Sequence, residues 1–312
     1  MSLTPFQIEE IRKIVSGAVR LNVPLSRLTS FRIGGPADAV AEPHSVAELA
    51  RLIRFVHDNG IPYLLLGSGT NVLFRDGGSR GLIVRTNGLG KWELYSNGSD
   101  HVVVRVAAGV SLPLVVSKSC SLGWTGLEPL WGIPGSFGGA VVTNAGAGGA
   151  SISDFLISVE LVNAAGEEIS LDRTDLRFGY RCTAIPEGAV VVGGALRLPR
   201  GIPSEVESRL NQAKARRKAT QPVAQPSAGC VFKNPSPERP AGAIIDRLGL
   251  KGTTSGGAMV SEVHANFIVN RGSASAEDVM RLIELIRSKV KAEEHIDLDL
   301  EIRVVGEADR WL

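Results

Sequence analysis

The spacing of apolar residues along the chain predicts a mixture of helices and strands. Apolar side chains recur at helical intervals from Phe6 to Val19, and again after Ser45, where Ser-Val-Ala-Glu forms a capping box and Asn59-Gly60 ends the helix. Further helical patterns cover 111–120, 204–218, 243–248 and 275–291. Short apolar runs predict strands at 63–66, 81–84, 102–106, 156–161, 168–171, 189–198, 266–269 and 298–305. Helices and strands occur throughout, which indicates an α+β protein.

A change in composition near residue 200 divides the chain. The segment 199–203, Pro-Arg-Gly-Ile-Pro, has the composition of a linker, and a charged helix follows it. At about 150 residues per domain, 312 residues suggest about two domains. We expect an N-terminal helix within 1–26, a first domain over 27–200 and a smaller α+β domain over 201–312.

Charge and apolar content exclude several classes of protein. The 34 Lys and Arg residues nearly balance 32 Asp and Glu residues, and such a balance makes nucleic acid an unfavourable partner. No apolar run approaches the length of a spanning helix, and the first residues do not resemble a signal peptide. The three cysteines form no CxxC pair, so we expect neither a metal site nor a disulfide framework. These features predict a cytoplasmic protein without membrane insertion.

Glycine is the unusual component of the sequence. It occurs 36 times, about 11.5% of the chain against a usual ~7%. Twelve of these 36 glycines lie in two short stretches, 67–81 and 132–149. Such clusters indicate positions that need a positive φ or a close approach of the backbone to another group.

The first cluster, Leu66-Gly-Ser-Gly-Thr-Asn-Val-Leu-Phe74, follows a predicted strand. Its spacing is not that of a Rossmann loop, because Val72 occupies the third glycine position, and no Gly-Lys-Ser/Thr follows as in a P-loop. A run of small residues with accessible N–H groups and hydroxyls can bind a pyrophosphate. An ordinary tight turn is the alternative, and for this cluster alone it is the simpler one.

The second cluster, 131–146, is too long for an ordinary turn. Glycine, serine and alanine alternate there with a single proline, which indicates a backbone that lies against a flat or anionic ligand. A glycine-rich loop packed under a helix is the alternative. Two clusters in one domain suggest a ligand long enough to contact both, such as FAD.

The two clusters resemble the flavin domain of the UDP-N-acetylenolpyruvoylglucosamine reductase family. Further matching motifs follow in the family's order, at 29–35, 178–181, 228–235, 264–270 and 300–306. The resemblance covers nearly the whole chain. It implies a two-subdomain FAD-binding module of the vanillyl-alcohol-oxidase (PCMH) type, in 27–200, followed by a smaller α+β substrate-binding domain. The short stretch after Arg181 is similar to the family's second type, which lacks an inserted loop carrying a tyrosine.

The resemblance also implies a reaction in peptidoglycan precursor synthesis. In this family NADPH passes hydride to FAD, and UDP-N-acetylglucosamine enolpyruvate then takes hydride at its methylene carbon to become UDP-N-acetylmuramate. The enzyme must hold the carboxylate, stabilise the developing enolate and protonate the adjacent carbon. We expect FAD as cofactor, NADPH as co-substrate and a monomeric protein.

Three residues match the family's catalytic positions. Arg181 would bind the carboxylate, since a guanidinium fork suits it. Glu301, in a predicted strand between Leu300 and Ile302, would donate a hydrogen bond to the enolate if burial raised its pKa. Cys230 stands where the family usually has serine and would protonate carbon, as a thiol is the stronger acid. The ordinary alternatives are a surface ion pair, a solvent-facing carboxylate and a buried structural cysteine.

The resemblance implies two sets of ligand-binding residues. Those expected to contact the flavin are Arg32, Gly67, Ser68, Gly69, Thr70, Asn71, Ile133, Pro134, Gly135, Ser136, Gly139 and Ala140. Those expected to contact the substrate are Tyr180, Lys218, Lys233 and Asn234. Lys218 lies twelve residues before Cys230, a spacing similar to the family's, although neighbouring Arg216 and Arg217 make a solvated helix face the alternative.

Two other functions stay open at the level of sequence. The flavin module could serve an oxidase that passes electrons from an alcohol to oxygen. It could also belong to a flavin-binding protein that has lost catalysis, for which the cysteine at position 230 is the one indication. The C-terminal motifs favour the reductase over the oxidase.

Overall fold

The computed structural model describes residues 3–306, which form two compact units. Within that range, unit 1 comprises the chain up to residue 21 together with 39–68 and 81–215, and unit 2 comprises 22–38, 69–80 and the chain from 216 onward. Two stretches that the sequence places in the flavin-binding region, 27–38 and 69–80, therefore lie in unit 2. The domain limits at 26 and 200 stay a prediction.

Helices and strands follow the α+β prediction. The α-helices are α1 Pro5–Ile14, α2 Val46–Asp58, α3 Leu112–Ser121, α4 Phe137–Val142, α5 Pro203–Thr220, α6 Ala241–Arg247 and α7 Ala276–Glu294. The first strands are β1 Arg20–Pro24, β2 Pro36–Ala41, β3 Tyr63–Leu66, β4 Val72–Phe74, β5 Ser79–Arg85, β6 Trp92–Asn97, β7 His101–Ala107, β8 Gly146–Ala147 and β9 Ala150–Ser151. The others are β10 Leu156–Val162, β11 Glu168–Asp172, β12 Phe178–Gly179, β13 Cys182–Thr183, β14 Val190–Pro199, β15 Thr254–Ser255, β16 Ala258–Val260, β17 Ile268–Asn270 and β18 Arg303–Val305.

Unit 1 contains a five-stranded antiparallel sheet with the order β11-β10-β14-β7-β6. β7 alternates as a half-buried strand should: Val102, Val104 and Val106 are fully buried, and the residues between them are not. β10 and β11 form the predicted hairpin, with Val162 opposite Glu168. The apolar face of this sheet therefore supplies much of the core of the unit.

α2 has the amphipathic character that its sequence predicts. The side chains of Leu49, Leu52 and Ile53 are fully buried, and Ser45 Oγ accepts a hydrogen bond from the N–H of Glu48. The second half of the predicted capping box is not formed, because the Glu48 carboxylate instead accepts hydrogen bonds from His44 N, Ser16 N and Ser16 Oγ. Glu48 thus fixes the chain before α2 as well as the helix start.

Unit 2 has its own core around α7. β15, β16 and β17 form an antiparallel sheet, and β4 pairs in parallel with β18. The predicted apolar face of α7 is buried, including Val279, Ile283 and Ile286. The Asp76 carboxylate accepts hydrogen bonds from the first two N–H groups of α7, at 2.8 and 3.1 Å. It thereby satisfies two N–H donors that have no acceptor within the helix.

α1 is shorter than its apolar pattern predicts. It ends at Ile14 rather than Val19, and Val15 already has an extended conformation with φ −103° and ψ 135°. A Cβ on Gly17 would lie 2.4 Å from the carbonyl oxygen of Glu42. Glycine is therefore required at position 17, just beyond the helix, for this close approach between backbones.

The predicted strand over 298–305 is also wrong in its first half. β18 begins only at Arg303, and Leu300 makes an isolated bridge with Phe232. The N–H groups of Glu301 and Ile302 both point to the carbonyl oxygen of Val231, at 2.8 and 3.5 Å. Two successive amides that share one acceptor bend the chain, whereas a strand directs them to opposite sides. Glu301 therefore lies in a bend before the strand.

Among the described residues, no helix is both long and apolar enough to cross a membrane.

Candidate functional site

In unit 1, the second glycine cluster packs backbone against backbone. Ser136 Oγ accepts a hydrogen bond from Gly139 N and so caps α4. The N–H groups of Phe137 and Gly138 donate to the carbonyl oxygens of Val110 and Ala108, at 2.7 and 2.9 Å. A Cβ on Gly138 would lie only 2.7 Å from that of Ala108. Glycine is therefore required here for the approach of two main chains.

The start of the first cluster reaches the second cluster within unit 1. A Cβ on Gly67 would lie 2.5 Å from Ser136 Oγ, and the Ser68 hydroxyl accepts a hydrogen bond from Asn87 Nδ2 at 3.3 Å. Gly67, Ser68, Ser136 and Gly139 are thus brought together. Of the other expected flavin contacts here, Ile133 and Gly135 are half-buried, Pro134 is exposed, and Ala140 is buried in the core.

The remainder of the first cluster lies in unit 2. Gly69 has φ +66°, and a Cβ there would lie 2.1 Å from the carbonyl oxygen of Leu28. The Asn71 side chain donates to the carbonyl oxygen of Glu301 at 3.1 Å, and the neighbouring Thr70 is half-buried. Arg32 also has a left-handed backbone, with φ +57°. Asn71, which the sequence predicts to contact flavin, thus also binds the segment that carries Glu301.

Tyr180 and Arg181 form the two-residue turn of the β12–β13 hairpin in unit 1. The Arg181 guanidinium carbon is 5.3 Å from the centroid of the Tyr180 ring, within the range of a cation–π contact. A Cβ on Gly146 would lie 3.4 Å from Arg181 Nη1, so the guanidinium lies beside that glycine. The two expected site residues therefore share one end of a hairpin.

In unit 2, Cys230 and Glu301 lie on adjoining backbone segments. Cys230 bridges to Phe267, and the carbonyl oxygen of the next residue, Val231, accepts the N–H of Glu301. Both Cys230 and Glu301 are half-buried. Cys120 differs, because burial, helped by the charge of a nearby glutamate, raises the pKa of its thiol to about 11. The description of a buried structural thiol thus fits Cys120 better than Cys230.

Asn266 fixes the segment that carries Cys230. Its side chain is buried, accepts the N–H of Phe232 at 2.9 Å and donates to the carbonyl oxygen of Phe232 at 2.8 Å. The N–H of Asn266 in turn donates to His264 Nδ1 at 3.2 Å. Burial, and then the charge of Lys251, lower the pKa of His264, against a smaller opposing effect of Asp246. The neutral imidazole is therefore the form that holds this loop.

The structure also identifies Arg217, which the sequence analysis did not select. Lys218 is exposed, whereas Arg217 is half-buried, and its Nε has no hydrogen-bond partner among the described residues. Burial lowers the pKa of Arg217, and negative charge on Cys230 opposes that effect. The spacing of residues along α5 indicates that Arg217 points inward, because position 217 continues the inward positions Val206, Leu210 and Ala213.

The remaining expected substrate residues lie just after Cys230. The N–H of Lys233 donates to the carbonyl oxygen of Asp299 at 2.8 Å, and its side chain is half-buried. Asn234 Oδ1 accepts the N–H of Ala241 at 3.0 Å and so caps α6. In the described part of the chain, no group of three His, Cys, Asp or Glu side chains could hold a metal ion.

Two family models match the chain. The model described as "FAD binding domain" matches residues 37–172, and the model described as "UDP-N-acetylenolpyruvoylglucosamine reductase, C-terminal domain" matches residues 221–305. Their order confirms the expectation of a flavin-binding module followed by the C-terminal domain of this reductase family.

Curated relatives and a solved structure resemble nearly the whole chain. Proteins named UDP-N-acetylenolpyruvoylglucosamine reductase are 42% identical in Syntrophus aciditrophicus, over 96% of this chain and 96% of that protein, and 43% identical in Syntrophotalea carbinolica, over 95% and 97%. The crystal structure of the reductase from Thermus caldophilus matches with a TM-score of 0.78 and 35% identity, over 92% of this chain and 99% of that one.

We expect Gly67→Ala to destabilise unit 1 through its contact with Ser136. The new Cβ would meet Ser136 Oγ, and turning that hydroxyl away sacrifices the cap of α4. The free energy of unfolding should fall by about 0.5–2 kcal/mol, and less flavin should copurify. Thermal unfolding and the absorbance ratio of flavin to protein measure the two effects.

Two comparisons identify the cause of that loss. Gly90→Ala is the matched control, because nothing lies within 4 Å of the added Cβ. In a Ser136→Ala background the clash is absent, so Gly67→Ala should cost clearly less there. An equal loss of stability in both backgrounds would contradict the explanation.

The stability of unit 2 should depend on pH through His264. Since the folded protein lowers the pKa of this imidazole, its contribution is complete above the unfolded pKa, ~6.5, and is lost as the pH falls from there through the lower pKa of the folded state. Melting temperatures between pH 8 and 5 should therefore fall less steeply for His264→Gln than for the wild type. His57→Gln, at an exposed histidine, should keep the wild-type slope; a wild-type slope for His264→Gln would refute the assignment.

Proposed function

The chain belongs to the UDP-N-acetylenolpyruvoylglucosamine reductase family and is an FAD-dependent oxidoreductase, and we propose that it reduces UDP-N-acetylglucosamine enolpyruvate to UDP-N-acetylmuramate with NADPH. The observation that carries the proposal is the arrangement around Val231. It brings a thiol, at Cys230, and a carboxyl group, at Glu301, onto neighbouring segments, as protonation of carbon beside an enolate requires.

The residues of the glycine clusters fit an FAD cofactor. At Gly67 and Gly138 the space that a Cβ would need is filled by Ser136 Oγ and Ala108 Cβ, so these glycines allow the close packing that holds the neighbouring segments in place. Ser68 and Ser136 add hydroxyls, a donor set suited to the diphosphate of a dinucleotide. The residues proposed to hold FAD are Arg32, Gly67, Ser68, Gly69, Thr70, Asn71, Ile133, Pro134, Gly135, Ser136, Gly139 and Ala140. FAD, when bound, supplies the hydride that the methylene carbon of the substrate receives.

Arg181 is proposed to bind the substrate carboxylate. Its guanidinium can donate two parallel hydrogen bonds, and its charge lowers the cost of negative charge spreading into that carboxylate. The contact with the Tyr180 ring orients the guanidinium plane. Tyr180, with 54% of its surface exposed, is proposed to line the site where substrate and nicotinamide bind in turn.

Cys230 and Glu301 are proposed to complete the reaction. Glu301, in its protonated form, donates a hydrogen bond to the enolate oxygen, and the Sγ–H of Cys230 gives its proton to the adjacent carbon. The resulting thiolate is stabilised by the charge of Arg217, the half-buried guanidinium whose pKa responds to Cys230. The positive charge of Arg217 thus favours transfer of the Cys230 proton to the substrate carbon.

The other substrate contacts serve the nucleotide. Lys218 and Lys233 are proposed to face the UDP diphosphate, which two ammonium groups suit as point charges. Asn234, which also caps α6, is proposed to contact the substrate next to Lys233. We further propose that the enzyme is a monomer and acts in the cytoplasm, the compartment of nucleotide-linked peptidoglycan precursors.

An anaerobic bleaching experiment tests the function. Purified protein should be yellow, NADPH should bleach it, and UDP-N-acetylglucosamine enolpyruvate should restore the colour without oxygen. Colour that returns only when oxygen is admitted would indicate an oxidase. A colourless protein that takes up no FAD would exclude both enzymes.

Substitutions of Cys230 test the proton donor. Cys230→Ser should keep substantial reductase activity, because a hydroxyl can still donate the proton. Cys230→Ala should slow flavin reoxidation by the enolpyruvyl substrate by roughly 10²–10⁴-fold and leave bleaching by NADPH largely intact. Stopped-flow absorbance separates the two half-reactions, with Cys182→Ser, at an exposed thiol, as the control. Undiminished flavin reoxidation in Cys230→Ala would refute the assignment of Cys230 as the proton donor.

A further inference from the structure

The hairpin that carries Arg181 is tied to the glycine-rich helix α4 by two side-chain hydrogen bonds. Asn144 Nδ2 donates to the carbonyl oxygen of Gly179 at 3.0 Å, in the strand before the turn. Thr183 Oγ1 donates to the carbonyl oxygen of Val141 at 2.5 Å, from the strand after it. One bond therefore holds each strand of the hairpin, just outside the two turn residues.

Asn144 is placed by the way α4 ends. Ala145 N donates to the carbonyl oxygen of Ala140 and Asn144 N to that of Val141, which is the pattern of a Schellman motif. Asn144 has the left-handed backbone of that motif, with φ +42°. Glycine occupies this position at the lowest conformational cost, and asparagine is the residue that tolerates it while offering a side-chain donor. The choice of asparagine here is explained by a need for its amide.

Both ends of the Asn144 amide are used. Its Oδ1 accepts the N–H of Ser153 at 3.4 Å, and only 9% of its surface is exposed. Two residues further on, Gly146 lies beside the Arg181 guanidinium. The stretch from 144 to 146 therefore contacts the hairpin at two places. The Asn144 side chain binds the backbone of the hairpin, and Gly146 lies beside the Arg181 guanidinium.

The hairpin needs such support because its own geometry is weak. β12 and β13 have two residues each, and isolated two-stranded hairpins are marginally stable in water. Arg181 has φ +56°, a left-handed conformation that is unfavourable for a residue with a side chain. Without outside contacts the turn would relax, and the guanidinium would move with it.

We propose that Asn144 and Thr183 are positioning residues for Arg181: their two hydrogen bonds hold the β12–β13 turn in the conformation that presents the guanidinium. The proposal rests on the proposed role of Arg181 as the group that binds the substrate carboxylate. Neither residue touches the substrate. Each acts through the hairpin, so its loss lowers the rate at which the substrate accepts hydride by misplacing Arg181.

Three variants test the two bonds separately. Asn144→Asp keeps the left-handed preference and the acceptor for Ser153 but replaces the donor to Gly179 with an oxygen. Thr183→Val keeps the shape and strand preference and removes only the hydroxyl, whereas Thr183→Ser restores it. We expect Asn144→Asp and Thr183→Val to slow anaerobic flavin reoxidation by roughly ten- to a hundredfold. Thr183→Ser should stay close to the wild type.

Asn163→Asp is the matched control for the asparagine substitution. Asn163 lies at the turn of the β10–β11 hairpin, where its side chain accepts from Glu167 N and donates to the Glu167 carboxylate. We expect this variant to reoxidise at the wild-type rate. Melting temperatures establish that each variant is folded at the assay temperature, so that a lower rate reports placement.

A double-mutant cycle with Arg181→Ala separates positioning from folding. If Asn144 acts through Arg181, Asn144→Asp slows reoxidation in the parent and has no further effect when Arg181 is alanine. An equal loss in both backgrounds, or a Thr183→Ser variant as slow as Thr183→Val, would overturn the proposal. So would wild-type rates in Asn144→Asp and Thr183→Val when Arg181→Ala is slow. If Arg181→Ala itself reoxidises normally, the proposed role of Arg181 fails instead.

Discussion

The close approach of main chains, with no side chain between them, is the constraint on which the candidate flavin site depends. Gly67 reaches Ser136, and Gly138 reaches Ala108, at distances that a Cβ would not permit. Part of the glycine excess is therefore explained by packing, since these two positions bring neighbouring segments closer together than a residue with a side chain would allow. This packing fixes the segments that carry the hydroxyls of Ser68 and Ser136.

The candidate catalytic groups are held mainly by hydrogen bonds to the main chain on either side of them. Asn266 clamps Phe232 through both of its amide atoms, and Val231 accepts the N–H of Glu301, so two segments of unit 2 are fixed beside Cys230. In unit 1, Asn144 and Thr183 hold the turn that carries Arg181 in the same manner. Backbone hydrogen bonds of this kind fix the position of a functional side chain through the segment that carries it.

Much of this arrangement could be predicted from local sequence. The alternation in β7 and the apolar face of α7 follow from periods of two and 3.6 residues, and each burial pattern agrees with its prediction. Helical phase alone would also have chosen Arg217 over Lys218, because 217 continues the inward face of α5. The family resemblance selects Lys218 by its spacing from Cys230, and such a spacing carries no information on the phase of the helix.

The sequence by itself determined most of the longer helices and strands, the two glycine clusters and the family, because these depend on residue types at short spacing or on ordered motifs. Only the tertiary structure decided that Glu301 lies in a bend, since this depends on the carbonyl oxygen of Val231, which is far away in sequence. The role of Asn144 depends likewise on the position of Gly179. A hydrogen bond between distant residues leaves no periodic trace in either segment, so it emerges only when the chain has folded.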